Sequence, residues 1–235
     1  MTLPARPLPR AFFARDTMRV ARSLLGCILV ADDEEGRLEA RITETEAYTQ
    51  ADPASHSHRG KTARNAVMFG EVGHAYVYFT YGAHFCLNTS AGPPDSADGV
   101  LLRAAEPLLG LQIMARRRGL SDLAASCLAA DAAGSARLAV KLGRALLGGP
   151  GKLGQAFRLD RSWNGLDLTR GERLWIEPGS APDEGDILAS PRIGISVGAD
   201  KLWRFTIAGD EYTSRPQRRT GSRKQGEAAR GTAST

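Results

Sequence analysis

The most regular pattern in the chain runs through residues 37–48, RLEARITETEAY. Apolar and polar positions alternate there, which predicts a β-strand whose side chains point to opposite faces in turn. If the strand is regular, one face reads Leu38, Ala40, Ile42, Glu44, Glu46, Tyr48. It begins apolar and ends in two carboxylates and an aromatic ring. A core-facing strand that turns acidic is a local conflict, and such conflicts tend to mark functional sites. Upstream, Asp16-Thr17 predicts the start of a helix through MRVARSLL, with Gly26 as its stop. Residues 27–31 read as a strand, 32–36 as a turn and 49–65 as a polar loop. Residues 74–90, HAYVYFTYGAHFCLNTS, predict a β-hairpin turning near residues 80–83, where Gly82 can take positive φ. A third strand is expected over 99–104, and Pro107 is expected to open a helix that ends at Gly119. A second helix is expected over 135–147, and further strands over 172–177, 191–197 and 201–207. This order predicts an α+β or mixed sheet with few βαβ units.

The chain has 235 residues, of which 42% are hydrophobic and 24% charged. That is an ordinary globular composition, long enough for one core without staples. No apolar run approaches the ~20 residues of a membrane span. Three widely spaced cysteines, Cys27, Cys86 and Cys127, form no CxxC pair, so a disulfide framework or zinc ribbon is not indicated. No apolar leader follows the first residues, and a reducing cytosolic location is expected. The formal net charge is +5, and its placement matters more than its size. Residues 214–235 carry +5 and residues 1–22 carry +4, leaving −4 on residues 23–213. The expected organisation is a basic arm (1–11), one domain (12–213) and a basic tail (214–235). The tail reads either as a solvated segment or as a nonspecific polyanion contact.

Several residues could carry chemistry. Tyr81 falls at the hairpin turn, where its ring cannot be buried in its own sheet. Either another loop covers it, or it serves as a wedge that enters a base stack. Glu46, Tyr48, His56 and Tyr78 describe a pocket for a flat ring beside a general base. The alternative is that both tyrosines are half-buried sheet residues with hydroxyls at the rim. Arg103, inside the apolar run VLLRAA, is costly unless paired; Glu46 is one candidate partner and Glu106 another. His56-Ser57-His58 could ligate a metal with Glu46, but no third ligand stands at a diagnostic spacing. Gly148-Gly149-Pro150-Gly151-Lys152 fails the Walker pattern. It reads as a helix cap, or as backbone donors plus the Lys152 cation for a phosphodiester.

Taken together, RITETEAY, DPASHSHRGKTARNAVMFG, AYVYFTYGAHFCLN, VLLRAAEP, GPGKLGQAF and RIGI resemble the alkyladenine (3-methyladenine) DNA glycosylase family, in the family's order. The resemblance implies a single mixed domain on a curved, mainly antiparallel sheet with flanking helices and a protruding hairpin. It implies an enzyme that flips alkylated or deaminated purines out of damaged double-stranded DNA and hydrolyses the N-glycosidic bond. Glu46 would activate the attacking water, with Arg103 and the Ile193 carbonyl helping to hold it. Tyr48, His56 and Tyr78 would sandwich the base, Asn88 would screen it, and Leu101 would contact pocket or DNA. Tyr81 would fill the vacated stack. Ala83, small where a larger apolar residue often follows the Tyr-Gly pair, and Lys152 would lie along the DNA. No metal, cofactor or membrane is expected, and the enzyme is expected to act as a monomer. With no lysine in the pocket strands to form a Schiff base, hydrolysis without strand cleavage is expected. The competing readings are a noncatalytic nucleic-acid-binding module and a hydrolase using a metal on His56, His58 and Glu46.

Overall fold

The computed structural model describes residues 6–80, 82–129 and 132–215. Tyr81 and the tail beyond Arg215 lie outside the described residues, so the expectations for them do too. The fold is α+β, as predicted: helices pack around one open, antiparallel sheet. Strand β1 (Ile28–Asp33) turns through Glu34 and Glu35 into the long β2 (Gly36–Tyr48). The hairpin is β3 (Ala75–Thr80) and β4 (His84–Ala91), closed by the Thr80–His84 pair, with Gly82 at φ 63° as expected. Strand β5 (Asp98–Leu109) lies between β4 and β2, and β6 (Leu174–Glu177) pairs with β1. Strand β1 covers β2 only as far as Arg41. Beyond it, β8 (Arg204–Ile207), backed by β7 (Ile187–Ser190), takes the same edge opposite residues 44–46. Among the described residues no helix is long and apolar enough to cross a membrane.

The alternation of β2 is interrupted in the fold. Ile42 pairs with Ala105 and Thr45 with Leu102, three residues apart on both strands. The pairing nonetheless shifts register on either side of Glu44, and Ala47 joins the same core as Leu38, Ala40 and Ile42, so the core face does not keep one parity along the strand. Leu38, Ala40 and Ile42 are wholly buried in the core, and Glu44 and Glu46 follow them, equally buried. Further along, β2 meets α2 (Thr17–Ser23), where the Thr45 hydroxyl donates to the Ala21 carbonyl at 2.8 Å. Asp16 caps that helix by accepting from the Arg19 amide at 3.0 Å, a bond worth about 1 kcal/mol. A one-turn helix, α1 (Arg10–Phe13), precedes it, and Leu8 is already buried against β6. The first arm thus joins the body by residue 8.

Two expectations are corrected. Pro107 does not open a helix: β5 runs through it to Leu109, with Pro107 opposite Ala40. Pairing with β4 ends at Leu101, so Pro107 sits where β5 has β2 on one side and an edge on the other, which proline tolerates. The helix, α3 (Leu111–Arg117), starts after Gly110 at φ 80°, where a Cβ would come within 2.3 Å of Leu38. Nor do residues 191–197 form a strand. The Ile193 amide and the Arg192 guanidinium bond to acidic side chains instead, and the segment is a loop after β7. The last strand is also shorter than expected, starting at Arg204.

The Ala-rich stretch folds as α4 (Ser121–Ala129) and α5 (Ala132–Leu147). Pro150 then opens α6 (Pro150–Ala156) at a position where its missing N–H costs nothing. Helix α6 lies directly on β4. A Cβ on Gly154 would stand 2.0 Å from the Phe85 carbonyl, so only glycine permits that approach.

Candidate active site

The acidic end of β2 and the hairpin strands enclose a cavity of about 180 Å³, a size that takes a ring-sized guest. Tyr48, His56, Tyr78, Asn88, Leu101, Arg103 and Ile193 all line it. Seven of the residues singled out in the sequence therefore meet in one place. They come from β2, the loop after it, the hairpin, β5 and the loop after β7.

Glu46 lies wholly buried beside this cavity. Its Oε1 accepts from the Ile193 amide at 2.7 Å. Its Oε2 accepts from the Tyr48 hydroxyl at 2.8 Å and from Arg103 Nη1 at 3.2 Å. These neighbours are all donors, so the carboxylate has only acceptor work to do. Ile193 thus meets Glu46 through its amide nitrogen, while the resemblance assigned its carbonyl to the attacking water. Arg103 is paired as the sequence required, but with two carboxylates. Its Nε donates to Glu44 at 2.8 Å, closer than its contact with Glu46. Glu106, the local alternative, instead meets Arg41 at 2.6 Å. Burial lowers the Arg103 pKa, but the charges of Glu46 and Glu44 outweigh it and hold the guanidinium above its usual value.

The aromatic wall is built by the alternation of the hairpin. Tyr76 and Tyr78 share one face of β3, with ring centroids 5.2 Å apart and stacked. His56 meets the edge of Tyr78 at 4.5 Å, and its Nδ1 faces the Tyr76 hydroxyl at 3.0 Å. Burial, and then the charge of Arg64, push the His56 pKa below 6.5, which favours the neutral imidazole at pH 7. Burial raises the Tyr48 phenol further still, reinforced by the Glu46 charge, so Tyr48 remains a donor. Asn88 is buried and donates to the Tyr76 carbonyl at 3.2 Å. Leu101 pairs with Glu46 across the sheet and forms the floor.

A buried guanidinium clamps this wall from behind. Arg192 stands 4.5 Å from the Tyr48 ring centroid, pairs with Asp52, and donates to the Ala47 carbonyl at 2.9 Å and the Gly198 carbonyl at 3.2 Å. It thereby joins the end of β2, the loop that carries His56 and the loop that carries Ile193.

Other expected residues lie apart from the cavity. His56 and His58 are both exposed, but His58 faces the Gln50 carbonyl whereas His56 meets Tyr76 and Tyr78, so the two imidazoles of the HSH run have different partners. Ala83 is exposed in the hairpin turn. Lys152 lies in the first turn of α6, where its Nζ donates to the Arg144 carbonyl at 3.2 Å. Burial, then the charges of Arg118 and Arg144, lower its pKa.

Sequence reasoning missed the partners that support the site. Tyr76 could have been found, because AYVYFTY places it on the face of Tyr78. Arg192, Asp52, Arg204 and Ser214 carried no local signal, since each acts through a residue remote in sequence.

Fold and site together define an α+β protein with a ring-sized aromatic pocket built beside a buried, donor-ringed carboxylate. The chain belongs to the methylpurine-DNA glycosylase (MPG) family, whose model matches residues 11–211. It is 45% identical over 208 residues to a protein of Carboxydothermus hydrogenoformans, covering 88% of this chain and 98% of the relative. A protein of Methanoculleus marisnigri is 42% identical over 210 residues, covering 88% and 98%. One of Burkholderia lata is 44% identical over 216 residues, covering 91% and 93%. All three bear the name "Putative 3-methyladenine DNA glycosylase".

Proposed function

We propose that this protein excises damaged purines from double-stranded DNA, taking the flipped base into the aromatic pocket and hydrolysing its N-glycosidic bond. The observation that carries this reading is the buried Glu46 carboxylate, held by Tyr48, Ile193 and Arg103 next to a ring-sized cavity. A purine alkylated at N3 or N7 is cationic and already a good leaving group. Tyr48, Tyr78 and His56 offer π faces that attract such a cation. Glu46 accepts a proton from water as the water oxygen bonds to C1′. The glycosidic electron pair leaves with the purine, and the products are free base and an abasic site. Asn88 faces the guest from β4 and screens its exocyclic groups, while Leu101 supports it from β5. Tyr81 would fill the space the base vacates, with Ala83 and Lys152 toward the DNA backbone. The enzyme works as a monomer in the cytoplasm on this reading, and leaves the strand uncut.

The test is incubation of the full chain with N-methylated duplex DNA. Free 3-methyladenine and 7-methylguanine should appear together with alkali-labile sites, and borohydride should trap no covalent complex. No released base would refute the enzyme; a trapped complex would refute plain hydrolysis.

A further inference from the structure

The last described residues return to the site from behind. Glu44 Oε2 accepts from the Ser214 amide at 2.6 Å, and Oε1 accepts from the Ser214 hydroxyl at 2.8 Å. The same Oε1 receives Arg204 Nε at 2.7 Å and Arg103 Nε at 2.8 Å. Arg204 in turn donates to the Arg215 carbonyl at 2.9 Å and to the Ser190 hydroxyl at 3.1 Å. Thr213 is buried, and the Tyr212 ring lies against Gly143 of α5, where a Cβ would come within 2.5 Å of it. The segment is therefore docked, and its last turn is aimed at a carboxylate that shares Arg103 with Glu46.

We propose that Ser214, acting through Glu44, is a positioning residue that sets how Arg103 is divided between Glu44 and Glu46. Neither Ser214 nor Glu44 lines the cavity. Their influence on the pocket must pass through Arg103, whose contact with Glu46 is the longest of those in the network. Glu44 is wholly buried, so its charge must be answered by protein donors. With Ser214 in place, four donors answer it, and Arg103 can spare Nη1 for Glu46. Without the Ser214 hydroxyl, Glu44 draws harder on the two guanidiniums, and Arg103 shifts toward it and away from Glu46. The expected domain boundary at residue 213 would cut through this support, because Ser214 supplies two of its bonds.

The inference rests on the reading of Glu46 as the group that activates water. Its test is single-turnover base release from methylated duplex DNA by the full chain carrying Ser214→Ala or Ser214→Thr, together with each protein's thermal midpoint. Ser214→Ala should slow the rate at saturating protein about tenfold, the worth of one hydrogen bond to a charged group. Half-saturation should stay within about twofold, since no DNA contact is changed. Ser214→Thr keeps the hydroxyl and should restore the saturated rate, which a merely structural role would not require. A Ser214→Ala enzyme as fast as wild type would overturn the proposal, and so would a Ser214→Thr enzyme as slow as Ser214→Ala. Absence of release by wild type would overturn the reading of the reaction itself, and this inference with it.

Discussion

The two ends of β2 are buried in opposite circumstances. At the first end, Leu38, Ala40 and Ile42 point into an apolar core, and Ile42 sits beside Ala105. At the second, Glu44 and Glu46 are equally buried, but beside Arg103 and Arg204. Burial is satisfied by contact area in one half and by hydrogen bonds in the other. An apolar face tolerates a lost atom by partial collapse. An ionic network does not, because each member left without its partner keeps the cost of desolvation. The polar half thus fixes the place of Glu46 tightly, at the expense of needing every partner.

Substitutions in the two halves should separate these modes. The largest combined effect is expected for Arg103→Met, which leaves Glu44 and Glu46 facing each other without the guanidinium they share. Urea unfolding should register a loss of about 3–5 kcal/mol, the usual cost of breaking a buried ion pair from one side. Base release at saturating protein should also fall about 10–100-fold, through loss of a charge-assisted bond to Glu46. Ile42→Ala should cost a similar amount of stability, about 2–5 kcal/mol. Its saturated rate, assayed well below the melting temperature, should match wild type, because Ile42 touches neither Glu46 nor the cavity. Equal rate losses in the two variants would erase the distinction.

A smaller effect is expected with acid. Burial pushes the Glu44 pKa up, but Arg204, Arg103 and the Ser214 amide outweigh it and bring it below the usual 4.5. A group lowered in the folded state contributes stability that is present above its unfolded pKa and lost as pH falls through the folded value. The stability difference between wild type and Glu44→Gln should therefore hold steady above pH 4.5 and shrink as the pH is lowered further. A difference that grows with acid would contradict this assignment of the Glu44 charge.

The same contrast governs what could be read in the sequence. Alternation along β2 revealed the strand, but not the break in its pairing around Glu44, where the apolar residues give way to carboxylates. The hairpin and its Gly82 turn were legible for the same reason: they are local. A lone arginine among Val and Leu announced that Arg103 needed a partner. It could not announce that one guanidinium would serve two carboxylates, because Glu44 and Glu46 arrive from another strand. Pro107 misled because proline suits a helix start and an edge strand alike, and only the sheet neighbours decide between them. The alternation in PRIGISV misled because its backbone and Arg192 are claimed by Glu46 and Asp52, residues about 140 positions away. Ser214 lay in a segment whose composition suggested a solvated tail or a nonspecific polyanion contact, and neither pointed to Glu44.

The most direct measurement compares wild type and Glu46→Gln in single-turnover release of 7-methylguanine from duplex DNA, with binding to the same DNA measured in parallel. Glutamine keeps the shape of the side chain and an acceptor for Ile193 or Tyr48, but cannot take a proton from water. The saturated rate should fall by about 10²–10⁴, the usual contribution of general base catalysis. DNA affinity should be retained. A Glu46→Gln enzyme that releases base at the wild-type rate would contradict the central role of this carboxylate.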